Sequence, residues 1–142
     1  FSSNIPYDGE EGSCMIVIAT DAPLANRNLK RMAERVSHAF GRVGAYSSNG
    51  SGDYAIIFST YRPEYQDDKM ISSKELKNSL MNGLFMATVE ATEEAIINSL
   101  FMAESISSKY GKSQALPIDE TMKILKKYKA LNWNNKLYPW KK

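Results

Sequence analysis

Two uninterrupted apolar runs constrain the fold of this chain more than any other feature: Cys14 to Thr20 (Cys, Met, Ile, Val, Ile, Ala, Thr) and Tyr54 to Phe58 (Tyr, Ala, Ile, Ile, Phe). Both are short and rich in β-branched residues, as expected of strands covered on both faces. A pair of strands makes a marginal sheet, and fully apolar strands need neighbours at both edges and helices on both faces. The missing strands are therefore expected from chain beyond this sequence or from another subunit.

Between the runs, Asp21, Ala22 and Pro23 break the first strand. Apolar residues then recur at Leu29, Met32, Ala33, Val36, Phe40 and Val43, the spacing of one amphipathic helix, with Gly41 and Gly44 closing it. Its other face carries Arg27, Lys30, Arg31, Glu34, Arg35 and Arg42, read as a solvated face. Tyr61 to Asp68, with Pro63, reads as an exposed loop. A long helix is expected from about Asn82, its N-cap, to Ser105, with Phe85, Val89, Thr92, Ile96, Leu100 and Ala103 as its stripe. A loop containing Gly111 follows, and Pro117, Ile118, Asp119 open a shorter helix with Met122, Leu125 and Tyr128 turned inward. Trp133, Tyr138 and Trp140, set among lysines, read as a tail that docks on the body or on a partner subunit.

The 142 residues predict one domain. A net charge of +2, from 18 basic and 16 acidic side chains, gives no reason to expect a nucleic-acid or membrane partner. The lone Cys14, read as a buried small hydrophobe, rules out an intrachain disulfide and a multi-cysteine zinc site, and points to a reducing, cytoplasmic setting. The lone His38 falls on the polar helix face, so neither a histidine-based triad nor a histidine-rich metal site can be built within the chain. A hydrolytic mechanism must use another base, and no cofactor is expected. The start, Phe1, Ser2, Ser3, Asn4, shows no signal pattern. The polar segment ending Asp8, Gly9, Glu10, Glu11, Gly12 reads as a loop or cut end, so a fragment is expected.

The run Ser48, Asn49, Gly50, Ser51, Gly52, Asp53 lies between the amphipathic helix and the second strand. It admits two readings. Asn-Gly is a strong hairpin signal, and on local residues alone a plain turn is the commoner explanation. The other is a scissile loop, in which small residues give the backbone access to strained φ values and let the Ser51 hydroxyl approach the preceding carbonyl.

Ile16 to Leu24, the Leu29, Lys30, Arg31 helix, the Ser48 to Asp53 loop and Thr88 to Ile96 (Thr, Val, Glu, Ala, Thr, Glu, Glu, Ala, Ile) together resemble the self-processing serine aminopeptidases, peptidase family S58. This family includes L-aminopeptidase D-amidase/D-esterase and the β-peptidyl aminopeptidases. The resemblance runs from about Ile16 to Tyr128. It implies an α+β fold, a four-layer αββα sandwich like the N-terminal-nucleophile (Ntn) hydrolases, only partly contained here. It also implies a precursor cut once between Gly50 and Ser51. Residues 1–50 would then end the first subunit and residues 51–142 form the second, completed by an N-terminal segment of the same precursor. A homo-oligomer is expected by the same analogy.

Under this resemblance Ser51 is the nucleophile, acting on a small peptide, amide or ester. Its freed α-amino group, with an ordinary pKa of about 7.7–8.0, is suited to act as the base. A hydroxyl residue and a glutamate on the long helix assist in the family, roles that fall to Thr92 and Glu93. Ala91 stands where members often carry serine, which leaves Thr88 as the alternative hydroxyl. Of the carboxylates Glu90, Glu93 and Glu94, at 100° per residue Glu93 flanks the Val89, Thr92, Ile96 stripe while Glu94 points away, which makes Glu93 the candidate for a buried acid. Asn49, Gly52 and Asp53 support the loop, with Asp53 read as stabilising the turn. The rival readings are an acyltransferase of the same fold and a non-cleaving binding or scaffold protein.

Overall fold

The computed structural model describes residues 12–63 and 74–131. The chain start, the loop beyond Pro63 as far as residue 73, and the aromatic tail with Trp133, Tyr138 and Trp140 lie outside the described residues. Those that are described fall into two compact units, parting between Ile96 and Ile97.

In the first unit, β1 (Met15–Thr20) and β2 (Tyr54–Ser59) pair in parallel, with Met15 opposite Tyr54 and Thr20 opposite Ser59. A parallel pair requires a crossover connection. Here it carries α1 (Asn26–Ala33) and α2 (Val36–Arg42), and α1 packs against β2. The single helix expected from the periodicity is thus two, parted at Glu34 and Arg35, where the Arg35 amide bonds the Met32 carbonyl three residues back. Neither glycine nor proline marks the break. The apolar stripe survives it, because Met32, Val36, Ala39 and Phe40 are all buried. Gly41 lies inside α2, and Gly44 (φ +85°) alone ends it. The Ala45 amide donates to the Phe40 carbonyl and the Gly44 amide to the Gly41 carbonyl, the paired bonds of a glycine-terminated helix.

The strands are not covered on both faces among the described residues. Burial alternates along each: Ile16, Ile18, Ala55 and Ile57 are half-buried, whereas Met15, Val17, Tyr54, Ile56 and Phe58 remain 44–64% exposed. One face is thus a contiguous apolar surface of the kind that ordinarily meets a partner layer.

Helix α3 (Met81–Met102) begins in this unit, preceded by a 3-10 turn over Asn78–Leu80. Asn82 is therefore an exposed residue of the first turn rather than the expected cap. Met81, Thr88, Val89 and Thr92 are buried, while Leu100 is 53% exposed. The basic face of α1 and α2 is not simply solvated: the Arg35 and Arg31 guanidinium carbons lie 3.7 and 4.8 Å from the Phe85 ring centroid. Buried Asn28 donates to the Glu75 carboxylate and accepts from Arg31, so its amide is satisfied at both ends.

The second unit holds the end of α3, a hairpin of β3 (Ile106–Ser108) and β4 (Gly111–Ser113), and α4 (Ile118–Lys127). The hairpin occupies the segment read as a loop. Apart from Ile106 its strands are polar, and they are wholly exposed, so they carry no hydrophobic alternation to betray them. Met122 and Leu125 are half-buried as expected; Tyr128, at 71% exposure, does not turn inward. None of the described helices is long and apolar enough to cross a membrane.

Candidate active site

Parallel pairing sets the N-terminal ends of β1 and β2 side by side, and continuing the register back one residue brings Cys14 opposite Asp53. The Cys14 amide donates to Asp53 Oδ1 at 3.0 Å, and the Tyr54 amide returns to the Cys14 carbonyl at 2.9 Å. Asp53 is thereby tied to the strand on the far side of the loop. Its other oxygen, Oδ2, accepts from Ser51 Oγ at 2.8 Å. Between them, the Gly52 amide donates to Ser13 Oγ at 3.1 Å, and a Cβ on Gly52 would stand 3.3 Å from the Tyr54 ring.

The Ser51 amide donates to the Ser48 carbonyl at 2.9 Å, closing a turn with Asn49 and Gly50 at its centre. It is not a hairpin turn, because the strand that follows pairs in parallel with β1 across a helical crossover. Nor does Gly50 carry strain: among the described residues a positive φ occurs only at Ser47, Gly44, Gly111 and Lys129. The strained residue of the loop is Ser47 (φ +53°), whose side chain also bonds Asp53. Hydrogen bonds from Ser47 and then Ser51 hold the Asp53 carboxyl below its ordinary pKa; burial opposes them, and the Cys14 amide adds a lesser lowering. Burial, with the Asp53 charge second, pushes the Cys14 thiol up; it is half-buried.

Ser51 and Asp53 open onto a cleft of about 300 Å³, lined on its apolar side by Phe40, Val43 and Ile96 and rimmed by Ser47 and Ser48. Glu93, one turn before Ile96, is half-buried and its Oε2 accepts from Arg42 Nη1 at 2.9 Å; Glu90 and Glu94 are exposed. The expected contrast between Glu93 and Glu94 agrees with this burial. Thr92 and Thr88 are buried, each hydroxyl bonding the carbonyl four residues back, on Thr88 and Leu84 respectively. In the described geometry both hydroxyls are thus engaged with their own helix. Gly50 and Asn49 lie exposed at the turn. Reading the sequence missed Ser47, which no local signal marks, and the Cys14 amide, which the register alone reveals.

Among the described residues no His, Cys, Asp or Glu cluster could hold a metal ion. What the loop can do chemically is present a hydroxyl, hydrogen-bonded to an ionised carboxylate, to an apolar cleft.

The model of peptidase family S58 matches residues 2–114. The chain is 41% identical, over 85% of its length, to a β-peptidyl aminopeptidase of Sphingosinicella microcystinivorans, of which it covers 31%. Among solved structures, a protein of Pyrococcus horikoshii shares 43% identity and a TM-score of 0.71 over 80% of this chain and 33% of its own. The L-aminopeptidase D-Ala-esterase/amidase of Ochrobactrum anthropi, described as a prototype for the serine aminopeptidases with a variant of the Ntn hydrolase fold, gives a TM-score of 0.70 at 28% identity. That match covers 81% of this chain and 34% of the other. The chain thus spans about a third of the length of these relatives and carries part of an Ntn-type fold.

Proposed function

The chain belongs to peptidase family S58, and on that premise we propose that it is part of a self-processed serine aminopeptidase. Scission between Gly50 and Ser51 would expose the α-amine of Ser51 beside its own hydroxyl. That amine, with an ordinary pKa of about 7.7–8.0, takes the Oγ proton as Oγ attacks a substrate carbonyl. The leaving amine departs, an acyl ester forms on Ser51, and water hydrolyses it. Substrates of this reading are short peptides, amides or esters with a free N-terminus, whose ammonium group the Glu93 carboxylate is suited to pair. The single observation that supports it most is the position of the Ser51 hydroxyl, at the leading end of β2 and open to the cleft.

Intact-mass analysis under denaturing conditions of the whole polypeptide containing this chain tests the reading. Wild type should give two fragments parting before residue 51, with aminopeptidase activity, and Ser51→Ala one uncut, inactive chain. An uncut wild type without amidase activity would overturn it.

A further inference from the structure

The base proposed for turnover does not exist before the cut. In the continuous chain the Ser51 nitrogen is an amide, without useful basicity, and donates its hydrogen to the Ser48 carbonyl at 2.9 Å. His38, the one imidazole, stands exposed on α2. The first scission therefore needs a different proton acceptor, and one is in hydrogen-bond contact with the attacking oxygen: Asp53 Oδ2 lies 2.8 Å from Ser51 Oγ. The carboxylate is not a loose surface group. Its other oxygen is fixed by the Cys14 amide at 3.0 Å, and the Gly52 spacer is pinned to Ser13.

Resting on the Gly50–Ser51 scission proposed above, we infer that Asp53 is the general base of self-cleavage, a role that passes to the Ser51 α-amine once the chain is cut. As Oγ bonds to the Gly50 carbonyl carbon, closing a five-membered ring through Cβ, Cα and N, its proton passes to Asp53 Oδ2. The carbonyl π electrons move onto oxygen. Collapse of this adduct breaks the C–N bond, and the Ser51 nitrogen leaves with the proton returned by Asp53, giving a free amine and an ester on Oγ. Water then hydrolyses the ester to the Gly50 carboxylate and the Ser51 hydroxyl. The donors that keep Asp53 ionised at neutral pH also make it a weak base. A slow step is tolerable for an event that happens once in each molecule's life.

The test follows cutting of the whole polypeptide over time, by denaturing mass analysis, in wild type, Ser51→Ala, Asp53→Asn, Asp53→Glu and Asp53→Ala with and without added formate. The expected result is cutting slowed at least about 100-fold in Asp53→Asn, the scale of lost general-base catalysis. Asp53→Glu should recover part of the rate, and Asp53→Ala should cut faster as formate rises, a rescue that a merely structural carboxylate would not show. If Asp53→Asn cuts at the wild-type rate while Ser51→Ala stays whole, the base assignment falls and the scission reading stands. If wild type itself stays whole, the scission reading falls first. Slow cutting in Asp53→Ala without formate dependence, in a protein that still melts cooperatively, overturns the assignment in favour of a structural role. Should Asp53→Asn not fold, the Asp53→Glu rate and the formate response decide alone.

Discussion

Arg42 Nη1 and Glu93 Oε2 lie 2.9 Å apart, joining the last turn of α2 to the middle of α3. With side chains 43% and 32% exposed, such a pair contributes little to stability, about 0.2–1 kcal/mol. Stability and activity should therefore separate at Glu93. Glu93→Gln is expected to lower the unfolding free energy by an amount within that range, yet, on the proposed reading in which Glu93 pairs the substrate ammonium, to lower kcat/KM on an amino-acid p-nitroanilide by about 100-fold, the scale of losing one partner of a desolvated charge pair. An equal, small effect on both would reduce Glu93 to a surface partner of Arg42.

The core under α3 gives a second expectation. Met81 is 0% exposed at the helix start, so Met81→Ala leaves a cavity rather than a surface change. A destabilisation of about 2–5 kcal/mol is expected from urea denaturation. A change under about 1 kcal/mol would mean that the α3 start is less tightly packed than its burial implies.

Much of this arrangement was legible in the sequence. The two apolar runs became β1 and β2, and the three- and four-residue spacing marked the buried Met32, Val36 and Phe40. Helical rotation also distinguished half-buried Glu93 from exposed Glu94. Three kinds of feature were not legible. The break at Glu34 and Arg35 leaves the hydrophobic period intact, and the β3–β4 hairpin has no apolar face, so periodicity could see neither. Arg31 and Arg35 looked solvated because stacking on Phe85 leaves no pattern in a charge run. At the candidate site, Ser51 and Asp53 could be named from their loop, but the Cys14 amide and the positive φ of Ser47 depend on backbone geometry that residue types do not encode.

Acid should expose the Asp53 network. The folded-state pKa of Asp53 is lowered, so its contribution to stability is fully present above the ordinary carboxyl value of about 3.9 and is lost as pH falls through the lower folded value. In urea titrations between about pH 2 and pH 6, wild type should lose stability on acidification more steeply than Asp53→Asn. Parallel curves would mean that the Ser47, Ser51 and Cys14 bonds do not discriminate between the two protonation states.

At the other end of the chain, α4 closes as α2 does, the Ala130 amide bonding the Leu125 carbonyl, but with Lys129 at φ +54° where α2 has Gly44. A side chain in this left-handed conformation costs about 1 kcal/mol. Lys129→Gly should therefore stabilise the chain by about 0.5–1 kcal/mol in thermal or urea unfolding. A destabilising change would show that the lysine side chain makes a compensating contact.

The exposed sheet face should make the 142-residue chain self-associate. Val17 and Ile56, 63% and 54% exposed, lie opposite each other on β1 and β2. Val17→Thr with Ile56→Thr should lower the apparent mass by light scattering at a fixed concentration, while far-UV circular dichroism stays unchanged. An unaltered mass would place the association elsewhere.

The proposed scission point lies in the crossover, so β1 stands upstream of it and β2 downstream, joined over six consecutive residue pairs from Met15–Tyr54 to Thr20–Ser59. Hydrolysis there severs a covalent link but none of the rungs that hold the halves together. A nicked molecule would travel as one particle in sedimentation and gel filtration, and only a denaturant would reveal that it had become two chains.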